Sequence, residues 1–589
     1  MKRSLLLTLG LATLLPAARA ATLTELLPAG ALMTLETRDA SGAIGRVAGL
    51  LGSTMDAIVG PDDDMTQTLD GMQELLKGSI GQEAAVGVFT VGRPGQPYTP
   101  HLLAVSRVDE LSSEFFGSTM KARPGARVGA YTFARQGQVY AGMAGGLVYM
   151  STDKSLLMTY LGRLSGKAAP RLLDSAAYTA ARRPVGAQEL SLYLNFSATA
   201  KVIRGHLGRS GLPRLFAPVV DAIDTLGQYA AGFTTTATGL TAASAHAANA
   251  QGKDQPLYRL LTHSTDFHVQ DIIPASAEAA QVRACAPESG AYAARWLSRV
   301  DLFEPLGFLS DSQLASHLER AGQYLGDECA QVTLAGGFRA GLDTTNPQAG
   351  LAHSVTYQSV RDLDAAKKHV PEYAASLNAA IAGLGGSLKP LLELSSSPLA
   401  RSLPGGLKGT GGMDGAALDS GVKQLEDLLG GLKLVYAFRG NYLITAWSDE
   451  ALKAALDETA VPLAQDAAFQ AAGLGMSGAA WRYQPDLPEI SAGDFSAVLE
   501  DAVQQAGGPA DPDEDDQDAD LTEEERAMQA AIAKLGTRKA GDAATPDGML
   551  AGVSEAITGI INRFDGATAQ SRVQGNVILG KSSVTYRWE

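Results

Sequence analysis

Apolar residues along the chain recur at two different spacings. Between residues 44 and 58 they fall every three or four positions, which predicts an amphipathic helix. Other stretches are runs of apolar and β-branched residues bounded by turn-forming residues, which is typical of strands. The predicted strands are Ala84–Val91, His101–Val108, Val139–Ser151 and Glu189–Phe196. Two predicted hairpins near the ends of the two halves, Gln228–Ala243 and Gln570–Arg587, turn at Gly239 and Gly575.

Several short segments occur twice, in the same order, in the two halves of the chain. The matched pairs are 26–29 with 272–275, 147–153 with 443–449, and 176–178 with 467–469. Collinear repeats of this kind predict an internal duplication. Because neighbouring strands are joined by short turns, we expect an α+β fold with two related domains, each an antiparallel sheet packed with helices.

The repeat also suggests how the chain is divided. We predict a signal peptide at 1–20, a first α+β repeat domain at 21–270 and a second at 271–589. The second domain is longer because of two predicted insertions. One, near 385–432, is rich in glycine, serine and proline, and the other, near 490–548, is acidic and expected to be partly disordered.

The N-terminus has the composition of a secretory signal. Lys2 and Arg3 precede an apolar run at 5–15, and Ala18 and Ala20 are the small residues that a signal peptidase requires. We therefore expect cleavage after Ala20 and a periplasmic or extracellular location in the cell envelope. The run is shorter than the roughly 20 residues of a membrane-spanning helix, so no transmembrane anchor is expected.

The export prediction changes how the two cysteines are interpreted. In an oxidising compartment, Cys285 and Cys329 favour a single structural disulfide. Two buried free thiols are the alternative. A catalytic cysteine would need a histidine base, and no histidine is close to either cysteine in sequence.

Charge and composition exclude some partners. The 589 residues carry a formal net charge of -15, which argues against nucleic acid and anionic membrane surfaces as ligands. However, the run 511–525 alone contains ten acidic residues. The two repeated domains are therefore only mildly acidic, and the net charge says little about their ligand.

Three sequence patterns resemble catalytic or ligand-binding motifs, but each lacks a necessary companion. Residues 575–582 match the phosphate-loop pattern, yet the run is strand-forming and too few residues follow for a helix, so we predict a hairpin and no nucleotide. The acidic run 511–525 lacks the glycine and ligand phasing of a calcium-binding hand. His263 and His268 have the wrong spacing for one helical face, and we interpret them as solvent-exposed residues.

The spacing S-x-x-K of penicillin-binding enzymes occurs three times, at Ser118–Lys121, Ser151–Lys154 and Ser420–Lys423. The accompanying S-D-N and K-T-G elements are absent. Helix capping accounts for the site of Ser151 and Asp153, as it does for Ser448 and Asp449 in the second half. No catalytic residue, cofactor or metal ligand is therefore predicted.

The opening Leu26–Ala29 segment and the unit that runs from a strand through S-x-D to a helix resemble the DUF3352-like family of exported bacterial proteins, a domain of unknown function. The resemblance implies an envelope location and supplies no catalytic residues. The leading hypothesis is an exported, non-enzymatic envelope protein that serves as a binding or structural module for an unknown envelope ligand or protein. The alternatives are a hydrolase acting on an envelope polymer or peptide, and a scaffold that docks a protein through the insertions.

Overall fold

The computed structural model describes residues 22–39, 83–91, 99–108, 125–210, 213–236, 238–300, 313–341, 348–395, 432–485 and 562–586. The chain separates into two compact units. Described residues 22–235 and 242–252 belong to unit 1, and residues 236–241 and 253–586 belong to unit 2. The predicted signal peptide, most of the first predicted insertion and all of the second lie outside the described residues.

Unit 1 contains ten strands and four helices within its described residues. The strands are β1 (Met33–Thr37), β2 (Ala84–Val91), β3 (Thr99–Arg107), β4 (Ala126–Val128), β5 (Tyr131–Gln136), β6 (Val139–Ala144), β7 (Leu147–Ser151), β8 (Leu190–Asn195), β9 (Gln228–Thr236) and β10 (Gly239–Ala247). The helices are α1 (Lys154–Leu164), α2 (Ala176–Val185), α3 (Phe196–Ser210) and α4 (Pro213–Leu226).

The sheet of unit 1 places β1 at its centre. The order is β5, β6, β7, β3, β2, β1, β8, β9, with every neighbouring pair antiparallel. β10 continues the sheet after β9. The core side of this sheet carries large buried residues such as Leu103, Tyr149 and Tyr193, which lie in one layer with Leu157 and Tyr178 of the helices.

Unit 2 also contains both strands and helices. Its strands are β11 (Thr265–Asp266), β12 (Ala279–Ala284), β13 (Leu325–Thr333), β14 (Ser354–Val360), β15 (Val435–Arg439), β16 (Tyr442–Ala446), β17 (Ser477–Gly478), β18 (Ala480–Gln484), β19 (Phe564–Gln574) and β20 (Val577–Tyr586). Its helices are α5 (Pro256–Leu261), α6 (Ser289–Val300), α7 (Leu314–Tyr324), α8 (Gly337–Gly341), α9 (Gln348–Ala352), α10 (Leu363–Ser395), α11 (Asp449–Ala455) and α12 (Ala467–Ala471).

The main sheet of unit 2 is also antiparallel throughout, in the order β15, β16, β14, β13, β12, β18, β19, β20. Its core includes Ile273, Val282, Val332, Ile444 and Trp481, all nearly inaccessible to solvent. The predicted α+β class with a large antiparallel sheet is therefore confirmed.

Most predicted strands form close to their predicted bounds. The run 84–91 is β2. The hairpin predicted at 570–587 is β19–β20, which begins six residues earlier, at Phe564, and turns at Gly575 with a φ of 64°. The predicted single strand at 139–151 is instead a hairpin of two strands. Gly145 and Gly146, with φ of 61° and 71°, make the turn, since the left-handed region is readily open only to glycine.

A disulfide joins Cys285, just after β12, to Cys329 in the neighbouring strand β13. The two Cα atoms are 5.8 Å apart, a separation usual for disulfides. Because 44 positions separate the two cysteines, the bond closes a long loop that includes α6 and α7.

We expect the double substitution C285S/C329S to lower the free energy of unfolding of unit 2 by about 4 kcal/mol, the loop-closure value for a link of this length. The measurement is urea unfolding followed by tryptophan fluorescence, because all four tryptophans lie between residues 296 and 588, the part of the chain that belongs to unit 2. A reductant should shift the wild-type curve onto that of the variant and leave the variant unchanged. If the oxidised wild type and the variant had identical unfolding curves, a structural role of the disulfide would be contradicted.

Candidate binding face on the first unit

The central strand of unit 1 has its apolar and polar residues on unexpected sides. Met33 and Leu35 are 37% and 40% exposed, whereas Thr34 and Glu36 are each only 2% exposed. Side chains alternate between the two faces of a strand, so β1 points its polar residues into the core and its apolar residues outward. The equivalent strand of an ordinary half-buried sheet has the opposite arrangement.

Glu36 is accommodated in the core by an ion pair. Its carboxylate lies 3.3 Å from the Arg182 guanidinium of α2, which is itself buried, and its other oxygen lies 2.9 Å from Nε of Arg38. Arg182 also donates hydrogen bonds to the Ser191 hydroxyl of β8 at 3.0 Å and to the Gly186 carbonyl. Burying such a pair gives little net stability compared with apolar residues of similar size. The inverted strand is therefore not explained by stability.

The outward residues of β1 continue across five neighbouring strands as two rows, which we call the apolar face. Strand pairing aligns each row, because residues that are paired in an antiparallel sheet project from the same side. The central row is Met150, Ala104, Val86, Leu35, Leu192 and Ala231. The second row is Leu102, Val88, Met33, Leu194 and Tyr229.

No side chain of the apolar face carries a charge, and four of its large residues remain accessible. Leu102 is 48% exposed, Met150 is 43% exposed, and Met33 and Leu35 have the values given above. The other members are partly buried. A contiguous exposed apolar surface on a folded domain usually marks a site of interaction.

In unit 2, the row that crosses the central strand β12 and its neighbours is mostly polar. The residues paired in sequence across β16, β14, β13, β12, β18 and β19 are Thr445, Thr356, Gln331, Gln281, Arg482 and Ala569. In β12 the alternation is regular, since Ala280 and Val282 face the core and Gln281 faces solvent. The apolar face is thus a property of unit 1 and not a general consequence of this sheet.

A buried carboxylate in unit 2 has a structural role. Glu328 of β13 accepts hydrogen bonds from the backbone N–H groups of His268 and Val269, both at 2.8 Å, and from the Tyr442 hydroxyl at 2.7 Å. Burial, together with the Glu328 carboxylate, raises the pKa of Tyr442, so the hydroxyl stays protonated and donates. With these partners Glu328 fixes the turn before β12.

The predicted serine–lysine pair at Ser151 and Lys154 forms a helix start. The Ser151 hydroxyl donates to the Leu102 carbonyl at 2.7 Å and accepts from the Asp153 N–H, while Lys154 is exposed. Asp153 caps α1. Burial would raise the pKa of Asp153, but hydrogen bonds from the Ser155 hydroxyl and the Leu156 N–H outweigh burial and lower it. The capping interpretation is confirmed for this site, and the other two serine–lysine pairs lie outside the described residues.

The remaining predicted motifs are separate from one another in the fold. Residues 575–582 form the predicted turn and final strand, β20. His268 is exposed and belongs to the turn held by Glu328, but Nε2 of His263 is buried, so the prediction of an exposed His263 is wrong. Across the described ranges, no three His, Cys, Asp or Glu side chains gather closely enough to hold a metal ion. Similarly, none of the described helices is both long and apolar enough to span a membrane.

Comparison with known proteins adds little. No protein-family model and no curated protein sequence matches the chain. Two crystal forms of TP0453 are similar to part of it: form III at 12% identity, covering 42% of this chain and 90% of TP0453 with a TM-score of 0.22, and form I at 14% identity, covering 42% and 88% with a TM-score of 0.21. These scores support no argument about fold or function.

Sequence patterns alone did not reveal the apolar face. The alternation in β1 predicts Met33 and Leu35 on the core side, and only the strand pairing shows that they face outward.

We expect E36Q to lower the free energy of unfolding of unit 1 by about 3 kcal/mol, because it leaves the Arg182 charge buried without a partner. Far-UV circular dichroism during urea unfolding would measure the loss, while tryptophan fluorescence, which reports on unit 2, should keep its midpoint. D174N is the control. It breaks the exposed ion pair of Arg171 and Asp174 and should change little. Equal effects of the two substitutions would contradict the buried-pair interpretation.

Proposed function

We propose that this chain is an exported, non-enzymatic binding module of the cell envelope, and that the apolar face of unit 1 is its binding surface. The observation that carries the proposal is the inversion of β1, which exposes Met33 and Leu35 and buries Glu36. A sequence that breaks a local folding rule at the centre of a sheet usually does so for function.

The size of the face favours a small apolar ligand over a protein. Its four exposed side chains offer roughly 300 to 400 Å², if a fully exposed large side chain has on the order of 200 Å². A stable protein interface buries about 800 Å² on each partner. These four side chains alone offer less than one side of such an interface, and they are sufficient to contact a small ligand that is largely aliphatic.

We also propose that the two units arose by duplication. Seven strands follow the same order with corresponding pairings in the two sheets: β6, β7, β3, β2, β1, β8, β9 in unit 1 and β15, β16, β14, β13, β12, β18, β19 in unit 2. In both units a buried or half-buried glutamate holds the turn before the central strand by a hydrogen bond. The Glu83 carboxylate accepts one from the Leu23 N–H, and the Glu328 carboxylate accepts one from the Val269 N–H. Tyr178 packs edge-on against Tyr193, as Phe469 does against Tyr483.

The envelope location and the relation to the DUF3352-like family are part of the same proposal. The signal-like N-terminus supports export, and the Leu26–Ala29 segment with its counterpart at 272–275 supports the relation. The Cys285–Cys329 disulfide fits an oxidising compartment. The hydrolase alternative gains no support from the buried carboxylates of the described residues: Glu36 and Glu328 are occupied by structural partners, and Asp153 is a helix cap.

Export can be tested directly. We expect the mature protein recovered from the envelope to begin at Ala21, as read by N-terminal sequencing or intact mass. A20R should accumulate as an uncleaved precursor, because signal peptidase requires a small residue there. A mature protein that retains residues 1–20 would contradict the proposal.

Ligand binding can be tested with an uncharged apolar dye such as N-phenyl-naphthylamine, whose fluorescence rises in an apolar environment. We expect the mature chain to bind it, and L35Q to weaken binding by roughly fivefold, or about 1 kcal/mol, because it removes apolar contact area. Glutamine already occupies the matching position, Gln281, in unit 2.

The control is Q281A, which alters the corresponding polar position and should leave dye binding unchanged. Circular dichroism would establish that both variants are folded. Dye binding that is absent, or equal in the wild type and L35Q, would refute the binding face.

A further inference from the structure

We infer that the core of unit 1 binds internal water at a polar centre formed by Glu36, Arg182, Tyr178 and Tyr193. The polar centre lies between α2 and the core side of β1 and β8, so the inference is independent of the apolar face on the outer side of the sheet. The placement of these four residues, the hydrogen bonding of their polar atoms and the corresponding residues of unit 2 each support it.

The polar centre is held together by two contacts between α2 and β8. Tyr178 and Arg182 are one turn apart on one face of α2. Ser191 and Tyr193 are two residues apart on the core side of β8. The Tyr178 ring packs edge-on against the Tyr193 ring, with 4.9 Å between their centroids. One turn later, Arg182 donates to the Ser191 hydroxyl at 3.0 Å and contacts Glu36 at 3.3 Å. The two phenol rings therefore lie beside the buried ion pair.

Both phenol hydroxyls of the polar centre are sealed from solvent. Tyr178 and Tyr193 are each 1% exposed, and neither hydroxyl has a hydrogen-bond partner among the residues that the structure describes. Burial, and after it the Glu36 carboxylate, raises the pKa of Tyr178, so the hydroxyl keeps its proton and can donate it to a hydrogen bond. Glu36 is thus near this hydroxyl but not directly bonded to it. A bridging water molecule spans a gap of this kind between two buried polar groups.

The groups around the polar centre suit an uncharged, hydrogen-bonding ligand. A buried water molecule makes about three hydrogen bonds to buried polar groups. The hydroxyls of Tyr178 and Tyr193 can each donate and accept. The Glu36 carboxylate has lone pairs beyond those that face Arg38 and Arg182. Because the buried charges of Glu36 and Arg182 balance, water fits here better than an ion.

Unit 2 fills the corresponding place with apolar side chains. Strand pairing aligns Val282 with Glu36, and Trp481 with Ser191. Trp481 is 1% exposed and packs against Phe469, with 5.3 Å between the ring centroids. Serine is far smaller than tryptophan. The space that aromatic rings fill in unit 2 is therefore lined by polar groups in unit 1.

Relaxation dispersion of the oxygen-17 signal of water counts the water molecules that stay bound to a protein for longer than it takes to tumble. In the full mature chain, we expect the double substitution Y178F/Y193F to lower the dispersion amplitude by roughly one water molecule. The substitution removes both hydroxyls and keeps both rings.

The matched control is Y357F in unit 2. Tyr357 is also inaccessible, and its hydroxyl has no partner within the described part of the chain. However, its cross-strand neighbours, Ala330 and Ile444, are apolar and offer a water molecule no hydrogen bond from their side chains. Y357F should therefore leave the dispersion amplitude unchanged.

Thermal unfolding gives an independent measure. Y178F should lower the Tm of unit 1, followed by far-UV circular dichroism, by about 2 to 4 °C, the shift expected when a domain of this size loses one hydrogen bond. Y357F should not lower the Tm of unit 2, followed by tryptophan fluorescence, because its hydroxyl has no bond to lose.

Equal dispersion amplitudes in the wild type and Y178F/Y193F would overturn the inference. A Y178F variant that is as stable as the wild type, or more stable, would also overturn it, since the hydroxyl would then have no partner. The same holds for a crystal structure in which an ion or an organic molecule occupies the polar centre. None of these outcomes affects the apolar face, which the dye experiment with L35Q tests separately.

Discussion

The register of β1 between β2 and β8 is the constraint on which unit 1 depends. Pairing on both sides leaves β1 no freedom to shift, because a slip of one residue would turn every side chain to the opposite face. The ion pair of Glu36 with Arg182 fits only the observed register, since the carboxylate must reach α2 on the core side. Met33 and Leu35 then have to face outward. An interaction in the core thus determines the chemistry of the surface.

The two units show what this constraint changes. In unit 2, Val282 lies in the core where unit 1 has Glu36, and Gln281 faces outward where unit 1 has Leu35. Strand pairing around β1 and β12 follows the same order, so the pairing of these central strands does not distinguish the units. The side chains of the central strand, β1 in unit 1 and β12 in unit 2, do distinguish the units. Unit 2 combines a regular apolar core, a disulfide and a satisfied buried carboxylate at Glu328. These features are those of a stable structural domain, whereas unit 1 combines a charged core contact with an apolar surface.

Much of the fold was predictable from local sequence, and the surface was not. Runs such as 84–91 and 570–587 have the composition and turn residues of strands, so the first was predicted with its correct bounds and the second as a hairpin with the correct turn. The hairpin at 139–151 was missed because a pair of glycines inside an apolar run looks like an interruption, although it supplies the turn. The exposure of Leu35 depends on Arg182 and Ser191, which are far away in sequence, and no local pattern contains that information.

The hydrogen bond from the Leu23 N–H to the Glu83 carboxylate fixes where the folded part of unit 1 begins. Leu23 is 1% exposed and its N–H is bound by the Glu83 carboxylate, while Thr22 is 8% exposed and its N–H is bound by Glu25. If the leader is removed after Ala20, the new chain end lies within two residues of the core. Any leader residue that remained would therefore have to leave the core directly at Thr22.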